Sequence, residues 1–144
     1  TGTNPANIQV EITESTAFNE DAVILRRLEE LKALGLSIAV DDFGTGFSSF
    51  TRLKTFPIDL LKIDMCFVHG LSSGSQKDRS IIKSIIQLAK NLGIETLAEG
   101  VETKDQFLHL KENGCNFIQG HYFYKPMPVN EIESLLQGKS DKIP

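Results

Sequence analysis

The stretch LSIAVDDFGTGFSS, residues 36–49, decides the fold class of this 144-residue chain. Its first part, LSIAV, is a nearly continuous apolar run, which predicts a β-strand, LSIAVDD, buried on both faces as parallel sheets require. Two aspartates close the strand, and Gly44 and Gly46 follow at once, so a loop is predicted after it. The chain is therefore expected to contain a buried parallel strand that carries charges at its carboxyl end.

The sequence on both sides of this strand shows a regular alternation of strands and helices. Short runs rich in β-branched residues alternate with longer stretches of helical periodicity, which is the pattern of βα units around a parallel sheet. The five predicted strands read IQVEIT, LSIAVDD, DLLKID, IETLAEG and NFIQGHYF. Residues 1–138 are interpreted as one α/β domain, and residues 139–144 as a disordered tail.

Capping residues and glycines mark the predicted helix boundaries. The first helix is predicted from about Glu20, with Asn19 as its N-cap and Gly35 at its end. Thr103 and Gln106 are predicted to form a capping box at the start of a later helix. The boundaries are thus assigned from residue types whose backbone preferences are known.

The segment after the third strand is predicted to be a loop. It includes His69 and the polar, glycine-containing run GLSSGSQKD, residues 70–78. A strongly amphipathic helix is predicted after it. The apolar face of that helix consists of Ile82, Ile85, Ile86 and Ala89.

The composition restricts the function classes. The chain has 15 Lys and Arg against 19 Asp and Glu, a net charge of −4, which argues against a surface that binds nucleic-acid polymers. A ligand that carries phosphate would therefore need a metal ion. The two cysteines, Cys66 and Cys115, have neither CxxC spacing nor nearby histidines that would suggest a zinc site, so they are predicted to be reduced, buried thiols of a cytoplasmic protein.

Neither a membrane-spanning segment nor a signal peptide is predicted from the sequence. No apolar run approaches the roughly 18 residues that span a bilayer, and the start TGTNPAN lacks the features of a signal peptide. Because this start has no methionine, the chain is expected to be cut from a longer protein. The predicted location is the cytoplasm, either alone or within a membrane-anchored parent protein.

Charged and amide side chains lie where each predicted strand ends. In parallel α/β folds the loops that leave the carboxyl ends of the strands converge on one rim, which carries the active site. Carboxylates brought together there would repel one another, and a hard divalent cation such as Mg²⁺ or Mn²⁺ would relieve the repulsion. Two adjacent aspartates could let one of them bridge two ions. The residues at the five strand ends are Glu11 and Glu14, Asp41 and Asp42, Lys62 and Asp64, Glu99 and Glu102, and Gln119 and His121.

Several of these residues also have an ordinary structural explanation. Asp64 and Glu102 fit helix caps or solvated loop residues equally well. Lys62, in the middle of DLLKID, fits a structural ion pair as well as a group that orients a water or a phosphate oxygen. The histidines are scattered and are expected to have surface or packing roles. The adjacent aspartates are the stronger signal, because two charges at a buried rim are costly unless they are paired or metal-bound.

Five motifs, in order along the chain, resemble those of the EAL domain family. They read E-I-T-E-S, D-D-F-G-T-G-F-S-S, L-K-I-D, A-E-G-V-E-T and Q-G-H-Y-F-Y-K-P, and the resemblance runs from Glu11 to about Pro128. It implies a TIM-like (β/α) barrel, of which this chain supplies about five C-terminal βα units. It also implies a divalent-metal-dependent phosphodiesterase that hydrolyses the bacterial second messenger cyclic-di-GMP to linear pGpG.

The resemblance also assigns roles to residues inside these motifs. It implies that carboxylates hold two Mg²⁺ or Mn²⁺ ions, that a lysine positions the attacking water, and that a glutamine lines the site. It further implies that Glu14 anchors the loop of residues 43–49, a loop tied in the family to metal binding and dimerisation. The implied metal ligands are Glu11, Asp41, Asp42 and Glu99, and the implied catalytic residues are Lys62, Glu99 and Gln119, of which Gln119 also binds substrate.

One part of the family pattern has no counterpart in these residues. The Glu-Ala-Leu motif and a downstream asparagine, both metal ligands on earlier strands of the family, are absent from the sequence. A barrel of this kind needs about 250 residues and eight strands. The chain alone is therefore predicted to form an incomplete site with two open sheet edges, which favours a homodimer. Regulatory domains are expected upstream in the parent protein.

Two other functions stay open at this point. A catalytically inactive EAL domain could bind cyclic-di-GMP or a protein partner without turnover, although the retained acidic residues argue against it. A doubly wound nucleotide-binding domain would have a similar alternation of strands and helices. That fold leaves the acidic strand ends unexplained.

Overall fold

The computed structural model describes residues 2–17, 22–46 and 50–137. Within these residues five strands form one parallel sheet, and their order in space is their order along the chain. The strands are β1 (Gln9–Thr13), β2 (Ser37–Phe43), β3 (Leu60–Ile63), β4 (Glu95–Ala98) and β5 (Phe117–Ile118). The prediction of an α/β fold with a parallel sheet is confirmed.

Helices connect the strands, as the alternation in the sequence predicts. A 3-10 turn, Pro5–Asn7, precedes β1. The α-helices are α1 (Glu14–Ala17), α2 (Ala22–Ala33), α3 (Phe50–Thr55), α4 (Met65–Ser72), α5 (Gln76–Leu92), α6 (Lys104–Glu112) and α7 (Val129–Leu136). None of the helices within the described residues combines the length and apolar character that crossing a membrane would require. Because the strands are parallel, their carboxyl ends all meet at one rim.

The strands and α5 supply much of the hydrophobic core. In β2 the side chains of Ile38, Ala39 and Val40 are all buried, as expected for a strand that is covered on both faces. The predicted apolar face of α5 is confirmed, since all four of its side chains are buried. They are Ile82, Ile85, Ile86 and Ala89.

The predicted helix boundaries are confirmed where the structure describes them. Gly35 follows the end of α2 in the left-handed region, with a φ of 90°. The capping box of α6 is formed, because the Thr103 hydroxyl accepts from the Gln106 N–H and the Gln106 side chain accepts from the Thr103 N–H. The predicted start of the first helix at residues 19–20 and the predicted tail at residues 139–144 lie outside the described residues.

The prediction of a loop directly after β3 is wrong. The chain forms helix α4 at this point, and His69 belongs to the helix rather than to a loop. Asp64 is its N-cap, since the carboxylate accepts from the Cys66 N–H at 2.8 Å. Of the roles that the sequence left open for Asp64, the structure therefore shows that of a helix cap.

Gly70 argues against a helix at this position when the sequence is read alone, because glycine has a low helix propensity. The helix is nevertheless stabilised by tertiary packing, since Val68 and Leu71 are buried against the core. A side chain at Gly70 would collide with the Asp78 carboxylate of α5. The glycine is thus required by the close approach of α4 and α5.

The prediction of two buried thiols is wrong for Cys66. This residue lies in α4 and is exposed, whereas Cys115 is half-buried before β5. Both thiols are free. Burial raises the pKa of the Cys115 thiol above its ordinary value, which keeps it protonated at neutral pH.

The last strand is shorter than predicted. Of NFIQGHYF, only Phe117 and Ile118 pair with β4. The chain then turns, and Gly120 packs so closely on the backbone of Val101 that no side chain would fit there. The Val101 N–H also donates to the Gln119 carbonyl at 3.1 Å. The loop after β5 is thereby fixed to the loop after β4.

Candidate active site

A buried lysine lies at the carboxyl rim of the sheet. Lys62, the third residue of β3, is 7% exposed. Its ammonium donates to Glu11 Oε2 at 2.8 Å, to Asp41 Oδ1 at 2.9 Å and to Glu99 Oε1 at 3.0 Å. These carboxylates come from β1, from β2 and from the residue that follows β4. We call the four side chains the Lys62 cluster.

The register of the strands places these side chains on one face. Glu11 pairs with Ala39, and Ala39 pairs with Leu60. Asp41 and Lys62 lie two residues farther along their own strands, so they point to the same face as Glu11. The parallel pairing predicted from the sequence therefore brings the cluster together.

Hydrogen bonding keeps the buried ammonium charged. Burial alone would lower the pKa of Lys62, because it disfavours the charged form. The hydrogen bonds to Glu11, Asp41 and Glu99 outweigh burial and raise the pKa of Lys62 above its ordinary value. An ammonium has three N–H donors, and the three carboxylates use all of them. Lys62 must therefore release at least one carboxylate before it can donate to a water or a phosphate oxygen.

Asp42 lies next to the cluster in an unfavourable conformation. Its φ is 56°, in the left-handed region that aspartate adopts only occasionally. The pairing of β2 with β3 is irregular between Val40 and Phe43, which is where Asp42 lies. The negative charge of Asp41 raises the pKa of the Asp42 carboxyl, and the charge of Asp64 adds to the effect. Strain and repulsion together make Asp42 costly for the fold, which is typical of a functional position.

The Glu14 carboxylate supports the loop that follows β2. Glu14 is 3% exposed, and its Oε2 accepts from the Gly44 N–H at 2.9 Å and from the Gly46 N–H at 3.1 Å. A side chain at Gly46 would lie 3.2 Å from this carboxylate, and Gly44 has a φ of 100°. Both glycines therefore let the loop close over Glu14. Residues 47–49, which complete the loop, lie outside the described residues.

Gln119 lies on the wall of a cleft that residues following β3, β4 and β5 form. The cleft has a volume of about 460 Å³, and its polar lining includes Glu102, Gln119, His69 and His121. The backbone of Gln119 is held in place, since its N–H donates to the Ala98 carbonyl at 2.9 Å. The cleft thus offers hydrogen-bonding groups at the same rim as the Lys62 cluster.

Two exposed histidines also line this cleft, a position that the sequence did not predict for them. His69 reaches the cleft from α4, a helix that was not predicted, and His121 follows β5. Both were expected to have surface or packing roles. The signal that could have revealed His69 is Asp64, which is a good N-cap residue directly before an apolar run.

The chemistry of the Lys62 cluster fits a hard divalent cation. Lys62 contacts one oxygen of each carboxylate, and the side chains of Glu11 and Asp41 remain 46% and 28% exposed. All acidic donors are oxygen atoms, which suits Mg²⁺ or Mn²⁺ rather than zinc. Across the part of the chain that the structure describes, no three Asp, Glu, His or Cys side chains already have the spacing of a metal site. The carboxylates are arranged around the ammonium instead, so ion binding would require them to turn.

The sequence profile of the EAL domain matches residues 1–126. The chain belongs to the EAL domain family. Cyclic di-GMP phosphodiesterase NbdA of Pseudomonas aeruginosa is 38% identical to this EAL chain over 130 residues, which are 90% of the chain and 16% of NbdA. The chain thus spans about a sixth of the length of this curated relative.

Solved EAL structures share the fold of the chain. PaMucR phosphodiesterase in its c-di-GMP complex aligns with a TM-score of 0.85 at 40% identity, over 90% of this chain and 52% of that chain. Klebsiella pneumoniae BlrP1 in a manganese and cyclic-di-GMP complex aligns with a TM-score of 0.78 at 31% identity, over 87% of this chain and 32% of that chain. The chain is therefore the C-terminal part of an EAL domain and supplies five βα units of a TIM-like barrel.

We expect Asp42→Asn to stabilise the EAL domain when no divalent ion is present. The substitution removes the repulsion from Asp41, and asparagine tolerates the left-handed conformation. The midpoint of thermal unfolding should rise at neutral pH in EDTA. Because the folded state raises the pKa of Asp42, its charged form disfavours folding, so the gain should shrink as acid protonates the wild-type residue.

Asp42→Ala is the matched control for this prediction. It also removes the charge, but alanine is strained in the left-handed region. Its midpoint should therefore lie below that of Asp42→Asn. A midpoint for Asp42→Asn at or below the wild-type value would show that this aspartate is not a source of instability.

Proposed function

We propose that the protein containing this chain hydrolyses cyclic-di-GMP to linear pGpG, as a divalent-metal-dependent phosphodiesterase of bacterial signalling. The observation that carries the proposal is the Lys62 cluster at the carboxyl rim. A structural ion pair would need one carboxylate for one lysine. Three carboxylates and one ammonium leave a net charge of −2, which favours the binding of cations at this position.

The relatives support this choice of substrate. NbdA is named a cyclic di-GMP phosphodiesterase, and the PaMucR and BlrP1 structures are complexes with this dinucleotide. The chain itself is acidic, with a net charge of −4. An acidic rim can accept a doubly charged dinucleotide only if cations lie between the carboxylates and the phosphates.

The acidic residues of the rim are the proposed ligands of two Mg²⁺ or Mn²⁺ ions. Glu11 and Asp41 would hold one ion, Asp41 and Asp42 would hold the other, and Glu99 would be a further ligand. When bound, the ions supply Lewis-acid polarisation of the phosphodiester and lower the pKa of water. The manganese named for the BlrP1 complex supports this cofactor class.

The protein groups would position the reactants. Once a carboxylate releases it, Lys62 can donate an N–H to the attacking water or to a phosphate oxygen. Hydrolysis adds one water across one bond between phosphorus and a 3′-oxygen. The phosphorus keeps the oxygen of the water, and the 3′-oxygen leaves with a proton. Gln119, in the cleft at this rim, would bind the nucleotide, and Glu14 would hold the loop after β2 in place.

The proposal concerns the parent protein rather than the chain alone. The chain covers 52% of the PaMucR chain, and the Glu-Ala-Leu motif and its downstream asparagine do not occur in its sequence. We propose that these upstream residues complete the coordination of the ions. The parent is further proposed to be a homodimer with regulatory domains upstream, located in the cytoplasm or anchored to a membrane.

Mg²⁺ or Mn²⁺ should stabilise the parent protein against heat, because ions that bind only the folded state raise its stability by mass action. At a free ion concentration of about 100 times Kd the gain is roughly 2.7 kcal/mol. Asp41→Asn should remove most of this gain. Differential scanning calorimetry with added ion and with EDTA measures both effects.

The control for the metal prediction is Glu95→Gln. Glu95 is an exposed carboxylate at the amino end of β4, on the rim opposite the Lys62 cluster. This variant should keep the full stabilisation by metal. Equal stabilisation of wild type and Asp41→Asn would remove Asp41 from the metal site.

The parent protein should convert cyclic-di-GMP to pGpG, whereas the isolated chain should not. An ion held by part of its ligands would be misplaced, and an error of about 1 Å costs roughly 100-fold in rate. In the parent, Lys62→Met should lower kcat by roughly 100-fold, as the loss of one positioned donor does in other enzymes. Chromatography of the products in the presence of Mg²⁺ or Mn²⁺ follows the reaction.

Two outcomes of this experiment would change the proposal. Binding of cyclic-di-GMP by the parent without any product would favour an inactive domain that acts as a binding module. Product formed by the isolated chain at a rate near that of the parent would show that the missing strands are dispensable.

A further inference from the structure

Gln106 is a buried amide whose side chain contacts both the end of the loop that carries Glu99 and helix α4. It is 2% exposed and lies in the first turn of α6. Its Oε1 accepts from the Glu102 N–H at 2.8 Å and from the Thr103 N–H at 3.0 Å. Its Nε2 donates to the Val68 carbonyl at 3.2 Å and to Ser72 Oγ at 2.9 Å. We call the two bonds made by Nε2 the tether.

Only one half of these contacts is needed to start the helix. The contacts of Oε1 close the capping box, for which a glutamate serves as well as a glutamine. The tether reaches residues that are 38 and 34 positions away, in α4. Its bond to the Val68 carbonyl requires an N–H donor and therefore an amide, whereas the Ser72 hydroxyl can accept or donate. The sequence pattern of the capping box does not explain the tether.

The tether joins two segments that begin at the Lys62 cluster. Helix α4 starts directly after β3, and its N-cap Asp64 is two residues from Lys62. The loop from Glu99 to Thr103 starts directly after β4, and its first side chain pairs with Lys62. Gln106 is thus bonded to the far end of that loop and to the body of α4.

The Glu99 loop has two further supports. At Gly100 a side chain would lie 2.7 Å from the Cβ of Met65, so the loop backbone lies directly on α4. On its other side, the Val101 N–H donates to the Gln119 carbonyl at 3.1 Å. Of these supports, the tether is the one made by a buried polar side chain, and such hydrogen bonds are costly to leave unmade. Its loss should therefore shift the loop relative to α4.

We propose that Gln106 is a positioning residue, which holds the Glu99 loop against α4 so that the Glu99 carboxylate stays within hydrogen-bonding distance of Lys62. The structural part of this proposal stands on the contacts of Gln106 alone. Its catalytic consequence rests on the proposed phosphodiesterase function. Gln106 itself does not touch the reacting atoms.

Gln106→Glu separates the tether from the capping box. Glutamate keeps the shape of the side chain and the acceptor for the Glu102 and Thr103 N–H groups. Its second oxygen would face the Val68 carbonyl, so the bond to Val68 is replaced by repulsion between two acceptors, although the Ser72 hydroxyl can still donate to it. Thr103→Ala is the opposite control, since it removes the capping hydroxyl and leaves the tether in place.

The test compares both variants with the wild-type parent protein. In steady-state hydrolysis of cyclic-di-GMP, Gln106→Glu should lower kcat by at least about 10-fold with KM nearly unchanged, because a misplaced group lowers the rate of the chemical step. Thr103→Ala should keep kcat within about twofold of wild type even where its melting temperature is lower. Equal kcat for the two variants would overturn the positioning role.

Amide hydrogen exchange provides a readout that does not need activity. The Glu99 N–H donates to the Ile63 carbonyl at 3.2 Å, and the Val101 N–H donates to the Gln119 carbonyl. Exchange at Glu99 and Val101 should speed up in Gln106→Glu and not in Thr103→Ala. If the wild-type parent has no phosphodiesterase activity, the proposed function fails, and this exchange pattern alone decides whether the tether holds the loop.

Ser72→Ala keeps the proposal testable if Gln106→Glu does not fold. It removes one of the two acceptors of the tether from an exposed position. It should shift kcat and exchange at Glu99 in the same direction as Gln106→Glu, by a smaller factor. Wild-type values for both quantities would contradict the proposal.

Discussion

The three N–H groups of one buried ammonium determine the arrangement of the carboxyl rim. Lys62 can remain charged in β3 only because Glu11, Asp41 and Glu99 each accept one of its hydrogens. These partners come from different elements, so the ion pairs fix β1, β2 and the loop after β4 relative to β3. Together these three carboxylates carry more negative charge than the single positive charge of the lysine can balance. An arrangement that holds the rim together therefore also gives it an excess of negative charge for binding cations.

Helix α4 is the support for the loops around this rim. Two loops lie against it through contacts that tolerate no larger group, since Gly44 contacts Phe67 and Gly100 contacts Met65. Gln106 adds the tether from α6. Small residues and a buried amide thus convert a short helix into a fixed platform. Asp42 has the opposite effect on the stability of this region. Its strained backbone and its repulsion by Asp41 lower stability at the edge of the site.

The sequence predicted the parallel sheet, because apolar runs such as LSIAV are a local pattern, and it placed the members of the Lys62 cluster at the strand ends. It did not predict α4, since Gly70 has a low helix propensity and the helix depends on tertiary packing of Val68 and Leu71 against the core. Nor did it reveal that Lys62 uses all its donors or that Gln106 reaches α4. Both depend on distances between residues more than 20 positions apart, which no local pattern encodes.

Crystals of the parent protein grown with Mn²⁺ would test most directly whether the carboxylates around Lys62 hold divalent cations. Anomalous scattering at the manganese edge locates the ion without assumptions about its ligands. We predict a peak within roughly 2.0–2.6 Å of oxygens of both Glu11 and Asp41, with Lys62 still donating to at least one carboxylate. A rim without a peak at saturating Mn²⁺, or ions bound away from these two residues, would contradict the account.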